Sequence, residues 1–304
     1  MAVAVPCRAV ARHRLEYVRR HGQRGDLWIA DGPPPEAGRQ RPVVVLLHGG
    51  FWKAMYTKGL MTQLAADVMD RGWAAWNLEY RRLGGVPGGG WPATFADVSA
   101  GIDHLATVAG RYGLDLTRVA AVGHSAGGHL ALWAAGRGKL PPGAPGAPGA
   151  PGAPGAPGAP GAPGAPGAPG APAAPGAAGV TPVVRLCGVV GLAPVSDLVE
   201  AARMGLGGGA VLRFMGGPPE RHPDRYAVAD PAQLLPMGVA QVLVHGERDG
   251  AVPIALSRRY HEQAVAAGDH TTLVELPDIG HMELIDPASA AWAATVVHLR
   301  RLLG

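Results

Sequence analysis

Apolar runs alternate with amphipathic segments along most of this chain. The most apolar run lies in PVVVLLHGG, Pro42–Gly50, and a continuous Val/Leu run is typical of a strand that is buried on both faces. Strands of this kind belong to parallel sheets covered by helices, because a sheet with one wet face shows strict alternation instead. The apolar runs predict strands at Asp26–Ala30, Pro42–Leu47, Trp73–Tyr80, Val119–Val122, Leu186–Leu192, Gln241–His245 and Thr271–Leu276.

The segments between these strands predict helices. In Gly59–Arg71, apolar residues recur at every fourth position, and Gly72 follows as a stop signal. Further helices are predicted at Thr94–Ala109, after Ser125, at Pro253–Gly268 and at Ala288–Leu303. Strands that alternate with helices at this spacing predict an α/β fold with a mostly parallel central sheet and helices on both faces.

Two segments interrupt the alternation. Residues 143–172 repeat Gly-Ala-Pro ten times, a composition that cannot bury apolar surface and favours polyproline II. A collagen triple helix would need two further chains, so we predict a disordered low-complexity insertion within one domain that spans residues 1–304. Residues 197–236 follow a predicted strand and contain GLGGG; we predict that they form a small cap over the mouth of a site at the sheet edge.

The charge pattern changes this picture little. The net charge is +4, and a basic N-terminal stretch is formed by Arg12, Arg14, Arg19, Arg20 and Arg24. Neither interleaved stacking aromatics nor a helix-turn-helix pattern accompanies these arginines, so the stretch predicts a solvated face and no nucleic-acid partner.

Cysteines and apolar segments exclude other classes. Cys7 and Cys187 are too few for a disulfide framework, and the sequence has no CxxC motif or His/Cys cluster, so we expect no metal site. The N-terminal segment is interrupted by arginines, and no stretch holds 18 uninterrupted apolar residues. We therefore expect a cytoplasmic protein without membrane contact.

The sequence GHSAG, Gly123–Gly127, marks the candidate chemistry. It lies where an apolar strand turns into a helix, and glycines two positions before and after Ser125 let neighbouring backbone pass close by. A turn this sharp holds the serine hydroxyl above the sheet edge. Ser125 is therefore the candidate nucleophile.

A serine nucleophile needs a base that is oriented by a third group. His281 follows the strand Thr271–Leu276, and Asp249 follows the strand Gln241–His245, so both should lie at the same sheet edge as Ser125. Asp197, after the strand Leu186–Leu192, is an alternative acid. The chain order Ser, Asp, His is that of the α/β-hydrolase fold.

Acyl transfer also needs N–H donors for the developing oxyanion. One is expected at Ala126, the first residue after the nucleophile. The other is expected in the loop HGGFW at residues 48–52, where Gly50 is the first choice and Phe51 the second.

Several motifs together resemble those of α/β-hydrolases of the esterase/lipase group, and they are closest to kynurenine formamidase (arylformamidase)-like enzymes. The motifs are HGGFW, the stretch from YRR to GGWP, GHSAGGHLA, GERDGAVP and IGHMELIDP. The resemblance implies the α/β-hydrolase fold with a small cap after strand 6. It further implies that Gly49 and Gly50 contribute to the oxyanion hole and that Trp52 lines the pocket. Trp91 is a second candidate for a pocket wall.

These residues predict a serine hydrolase that cleaves an ester or related acyl bond of a small molecule through an acyl-enzyme. An aryl formamide such as N-formylkynurenine is the alternative substrate. The alternative from another class is a non-catalytic binding protein that uses its Pro-rich segment. No cofactor is required, and we expect a monomer or a homodimer.

Overall fold

A computed structural model describes residues 10–18, 23–30, 40–147 and 184–304. Within these ranges, eight strands form one sheet in the order β1-β2-β4-β3-β5-β6-β7-β8. β1 and β2 are antiparallel to their neighbours, and the strands from β4 to β8 pair in parallel. The strands are β1 Val10–Val18, β2 Gln23–Ala30, β3 Arg41–Leu47, β4 Ala74–Leu78, β5 Leu114–His124, β6 Gly188–Leu192, β7 Ala240–Gly246 and β8 Thr271–Leu276.

Helices cover both faces of this sheet, as the apolar runs predicted. They are α1 Thr62–Asp70, α2 Ala93–Asp103, α3 Leu105–Tyr112, α4 Ala126–Gly136, α5 Leu198–Arg203, α6 Leu206–Met215, α7 Pro223–Ala229, α8 Ile254–Ala266 and α9 Ala290–Leu303. The two faces have separate hydrophobic cores, with α1 and α9 on one face and α2, α3, α4 and α8 on the other. In β3, Val43 and Val45 enter one core and Val44 and Leu46 the other, which explains the continuous apolar run.

In the basic N-terminal stretch, the described arginines Arg12, Arg14 and Arg24 are exposed, as the prediction of a solvated face requires. Within it, Arg12 and Arg14 lie in β1, an edge strand that the sequence did not predict, and both form ion pairs with Asp26 of β2. Side chains alternate along β1: Leu15 and Tyr17 point to the core, and the arginines point to solvent. This half-polar pattern is typical of an edge strand. Arg19 and Arg20 lie outside the described residues.

Helix boundaries also differ from the predictions. The segment predicted as one helix, Thr94–Ala109, contains α2 and the start of α3, which meet at His104. α3 ends at Gly113, which takes the left-handed backbone (φ 60°) that glycine adopts without a Cβ clash. A 3₁₀ turn, Lys58–Met61, replaces the predicted first turn of the helix before β4.

Both predicted interruptions join the core where they are described. Ala147 is buried, and the Gly146 carbonyl accepts from the Ser99 hydroxyl at 2.9 Å, so the repeat is packed at its first residues. The remainder of the predicted insertion lies outside the described residues. Residues 197–236 contain α5, α6 and α7. In the described ranges, no helix combines the length and apolar character needed to cross a membrane.

Candidate active site

Ser125 occupies the sharp turn between β5 and α4. Its backbone has φ 56° and ψ −118°, a region that costs free energy for a residue with a Cβ and persists where surrounding structure enforces it. The Ser125 N–H donates to the Leu192 carbonyl of β6 at 2.8 Å, and its carbonyl accepts from the Val195 N–H at 3.2 Å. The turn is therefore tied to β6 and to the segment that follows it.

The glycines beside Ser125 fill positions where no other residue fits. A Cβ on Gly123 would lie 2.1 Å from the Gly127 carbonyl oxygen, and a Cβ on Gly127 would lie 2.1 Å from the Leu47 carbonyl oxygen. Both distances are far below van der Waals contact. Glycine is thus required at Gly123 by the close approach of β5 to α4 and at Gly127 by the close approach of α4 to β3.

Asp249 and His281 are brought together after β7 and β8. His281 Nδ1 and Asp249 Oδ2 are 2.6 Å apart, and the Asp249 carboxyl is fully buried. Its other oxygen accepts from the N–H groups of Ala251 and Val252, each at 2.8 Å. Burial opposes the charged carboxylate, but hydrogen bonds from His245, His281 and Val252 outweigh it and hold the pKa of Asp249 below its ordinary value. The carboxylate stays charged and fixes the imidazole through Nδ1.

His124 connects this pair to the elbow. Its Nε2 donates to the His281 carbonyl at 3.0 Å, and the two imidazole rings lie 4.4 Å apart. Because His124 directly precedes Ser125, this contact ties the segment that carries the candidate base to the elbow. Burial lowers the pKa of His124 to about 3, so its ring is neutral near pH 7. In the sequence, the position of His124 directly before Ser125 is the signal that could have found this role.

Asp197, the alternative acid, has a different role. It caps α5, accepting the Glu200 N–H at 2.8 Å, and its second oxygen lies 3.6 Å from the Arg259 guanidinium. The described contacts of His281 go to Asp249 and not to Asp197. The geometry therefore separates the two candidate acids.

The HGGFW loop lies directly beside Ser125. A Cβ built on Gly49 would lie 3.0 Å from Ser125 Cβ, which shows how closely this backbone approaches the elbow. Gly50, Phe51 and Trp52 all have positive φ, of 105°, 49° and 55°. Among the described residues, the Gly50 and Phe51 N–H groups donate to no protein acceptor. Free backbone donors beside a serine are what oxyanion binding requires, so this loop is the candidate for the second oxyanion donor.

His48 and Glu79 support this loop from behind. His48 Nε2 lies 3.0 Å from Glu79 Oε1, and Nδ1 lies 2.8 Å from the Gly49 carbonyl. The Tyr80 hydroxyl donates to the His48 carbonyl at 2.6 Å, and its ring stacks on the imidazole. His48 therefore fixes the loop.

The two candidate pocket tryptophans differ. Trp52 is fully buried: its ring stacks on Phe214 at 4.3 Å and meets His129 edge-on at 5.4 Å. The ring fills space between the loop and α6, and the assignment of Trp52 to the pocket wall stays a prediction. Trp91 is half-buried, and its backbone N–H donates to the Phe214 carbonyl at 2.8 Å.

The amino-acid sequence of this chain is similar to those of known proteins. Residues 33–140 match the family model described as BD-FAE. Esterase LipC of Mycobacterium tuberculosis is 25% identical over 310 residues, covering 96% of this chain and 65% of LipC. Esterase LipQ of the same organism is 30% identical over 110 residues, covering 36% of this chain and 25% of LipQ. The chain spans slightly less than two thirds of LipC and a quarter of LipQ.

Solved structures share the architecture. A truncated carbohydrate esterase from gut microbiota superposes with a TM-score of 0.72 at 16% identity, covering 97% of this chain and 96% of that one. Esterase Est2 of Thermogutta terrifontis, solved with propionate bound, gives a TM-score of 0.65 at 18% identity, with 96% and 93% covered. With the strand order and the elbow, these likenesses confirm the predicted fold class: the chain has the α/β-hydrolase fold.

Proposed function

We propose that this protein is a serine hydrolase that cleaves carboxylic esters of small molecules through an acyl-enzyme. The observation that carries the proposal is the strained elbow at Ser125, with the Asp249–His281 pair linked to it through His124. The similarity to the esterases LipC and LipQ supports the same reaction class.

The reaction follows from the roles of these groups. Ser125 Oγ attacks the ester carbonyl carbon, while His281 Nε2 takes the hydroxyl proton and Asp249 stabilises the imidazolium. The N–H groups of Ala126 and Gly50 hold the oxyanion, with Gly49 shaping the loop. The alcohol leaves with the proton from His281, and the acyl group stays on Ser125. Water then attacks the acyl carbon and loses a proton to His281. The bond between the acyl carbon and Ser125 Oγ breaks, His281 returns that proton to Oγ, and the carboxylic acid leaves.

We infer that the acyl group is short, in the range from acetyl to butyryl. Trp52 and Phe214 fill the space between the oxyanion loop and α6 with stacked rings, which leaves little depth for a long chain. Est2 was solved with propionate and with butyrate bound, and both are short acids. Residues 197–236 then serve as the cap over this pocket, since Lys53 Nζ donates to the Gly207 carbonyl at 3.3 Å.

Rates on p-nitrophenyl acetate, butyrate and decanoate test this proposal. We expect kcat/KM for decanoate to be roughly tenfold or more below that for the short esters. Ser125→Ala should lose roughly four orders of magnitude or more in kcat. Wild-type turnover in Ser125→Ala, or a folded protein that a fluorophosphonate never labels at Ser125, contradicts the mechanism. The latter result favours a non-catalytic binding protein.

An aryl formamide is the second candidate substrate, because HGGFW followed by YRR is the motif pair on which the formamidase resemblance depends. A formyl group needs almost no acyl pocket, and the half-buried Trp91 could face a flat leaving group. Including N-formylkynurenine in the same series decides between the candidates. A kcat/KM above that of every ester selects the formamidase, and no turnover removes it.

A further inference from the structure

A cleft of about 630 Å³ lies behind the oxyanion loop, between β1, β2 and the segment after β4. Its walls hold six cationic side chains: Arg12, Arg14, Arg24, Lys58, Arg81 and Arg82. We call this the cationic cleft. The proposed esterase mechanism uses none of these residues.

The antiparallel register of β1 and β2 builds one wall of the cationic cleft. Because side chains alternate along a strand, Arg12 and Arg14 lie on the same face of β1. Arg14 is paired with Asp26 of β2, and Glu16 is paired with Arg24. The Arg24 side chain is exposed and forms no ion pair with a described residue.

Buried carboxylates hold the cations but do not balance them. Asp26, with a side chain 1% exposed, accepts from Lys58, from Arg12 Nε at 3.0 Å and from Arg14 Nε at 3.5 Å, so three cations share one carboxylate. Burial opposes the charge of Asp26, but hydrogen bonds from Lys58 and Arg12 outweigh it and lower the pKa of the carboxyl.

The opposite wall repeats this arrangement. Arg81 makes two bonds to the buried Asp97, at 2.8 and 2.7 Å, and Arg82 pairs with Glu79. Across the cationic cleft, six cations face four carboxylates once Glu16, the cross-strand partner of Arg24, is counted, and two of these carboxylates, Asp26 and Asp97, lie beneath the cations rather than at the surface. An excess of two positive charges is directed into the space.

We propose that the cationic cleft binds a small multivalent anion bearing phosphate or carboxylate groups. Guanidinium groups that are held in place present paired N–H donors, which match the oxygens of both groups. A space of this size holds a small molecule. The site is separate from Ser125, because its lining contains no residue of the Ser125–Asp249–His281 set and none of the loop at residues 48–52.

Calorimetric titration of the full chain with pyrophosphate at low ionic strength tests the proposal, and a parallel titration with citrate distinguishes phosphates from polycarboxylates. The test variant is Arg14→Gln/Arg24→Gln. The matched control is Arg203→Gln/Arg248→Gln, which removes the same charge from side chains that are 74% and 71% exposed and lie outside the cleft.

We expect one anion per chain, affinity reduced about tenfold or more in the test variant, and a change below about twofold in the control. Ser125→Ala should bind like the parent protein, so failure of the esterase mechanism leaves this result unaffected. Equal losses in test and control variants, no saturable binding of either anion at about millimolar concentration, or loss of binding in Ser125→Ala overturns the proposal. If the double variant melts early, Arg24→Gln alone should still weaken binding about threefold, and unchanged affinity overturns the proposal.

Discussion

The imidazole of His124 donates to the backbone carbonyl of His281 at 3.0 Å, so the residue before the nucleophile holds the loop that carries the base. The ring is fully buried and remains neutral, because burial lowers its pKa to about 3. A neutral imidazole with one N–H keeps this bond across the pH range in which an esterase works. Its second nitrogen, Nδ1, faces the Gly49 backbone of the oxyanion loop.

Removal of this bond should slow catalysis more than it weakens substrate binding. In His124→Leu, the His281 carbonyl loses its donor, and one buried hydrogen bond contributes about 1 kcal/mol. We expect kcat to fall about tenfold with KM nearly unchanged, in steady-state assays on p-nitrophenyl acetate.

The matched control is His129→Leu, since His129 is also fully buried and contacts a backbone carbonyl, that of Ala229, at 2.9 Å. It should lose similar thermal stability with a smaller effect on kcat. Equal kcat losses in both variants contradict a positioning role for His124.

Substitution of the two candidate acids, Asp249 and Asp197, should affect kcat very differently. Asp249→Asn leaves the geometry nearly intact but no longer stabilises the imidazolium, so kcat should fall by roughly 10³–10⁴. Asp197→Asn retains an oxygen that can cap α5, and its kcat should stay within a few fold of the parent. Rates of both variants on the same ester decide the assignment, and an intact kcat in Asp249→Asn rejects it.

The placement of Ser125, Asp249 and His281 could be predicted because each follows an apolar strand, and parallel strands end at one sheet edge. The 2.6 Å contact between Asp249 and His281 agrees with that placement. The bond from His124 to the His281 loop could not be predicted, since it joins residues 157 positions apart and depends on how two loops meet.

Other features that the sequence did not predict also have physical causes. β1 alternates polar and apolar residues and is rich in arginine, a weaker signal than the continuous run of β3. For Trp52, the sequence does not separate a pocket wall from a core ring, because both are large and apolar. The stacking of Trp52 on Phe214 depends on tertiary contacts that no sequence pattern announces.

The backbone of Gly50 should be essential for catalysis. At φ 105°, an added Cβ is strained and lies 2.3 Å from the Tyr56 ring, so Gly50→Ala must shift the oxyanion loop. Loss of one oxyanion donor costs about 10²–10³ in kcat, and we expect a decrease of that size. Gly72→Ala is the control, because Gly72 has φ 89° with open space around it. Gly72→Ala should lower the free energy of unfolding by about 1 kcal/mol and leave kcat unchanged. A similar loss of kcat in Gly72→Ala would show that the loss in Gly50→Ala comes from reduced stability and not from the oxyanion loop.

The buried Asp230 should make stability less sensitive to acid. Burial and the nearby Asp197 raise the pKa of Asp230 to about 7, whereas burial lowers the pKa of His124 to about 3 and that of His129 to about 4. Between about pH 6 and pH 4, unfolding lets each histidine gain a proton. The free energy of unfolding therefore decreases as the pH is lowered. The folded chain meanwhile binds an extra proton at Asp230, which offsets about 1.4 kcal/mol per pH unit of that fall.

Urea unfolding of the parent and of Asp230→Asn at several pH values between 4.5 and 6 measures this difference. The variant loses the offset, so its free energy of unfolding should fall more steeply toward acid, by about 1.4 kcal/mol per pH unit. The slope is the readout because the variant also weakens the bonds that Asp230 accepts from the Val199 and Ala232 N–H groups, which lowers stability at every pH. Parallel curves for the two proteins would show that Asp230 is charged in the folded chain throughout this range.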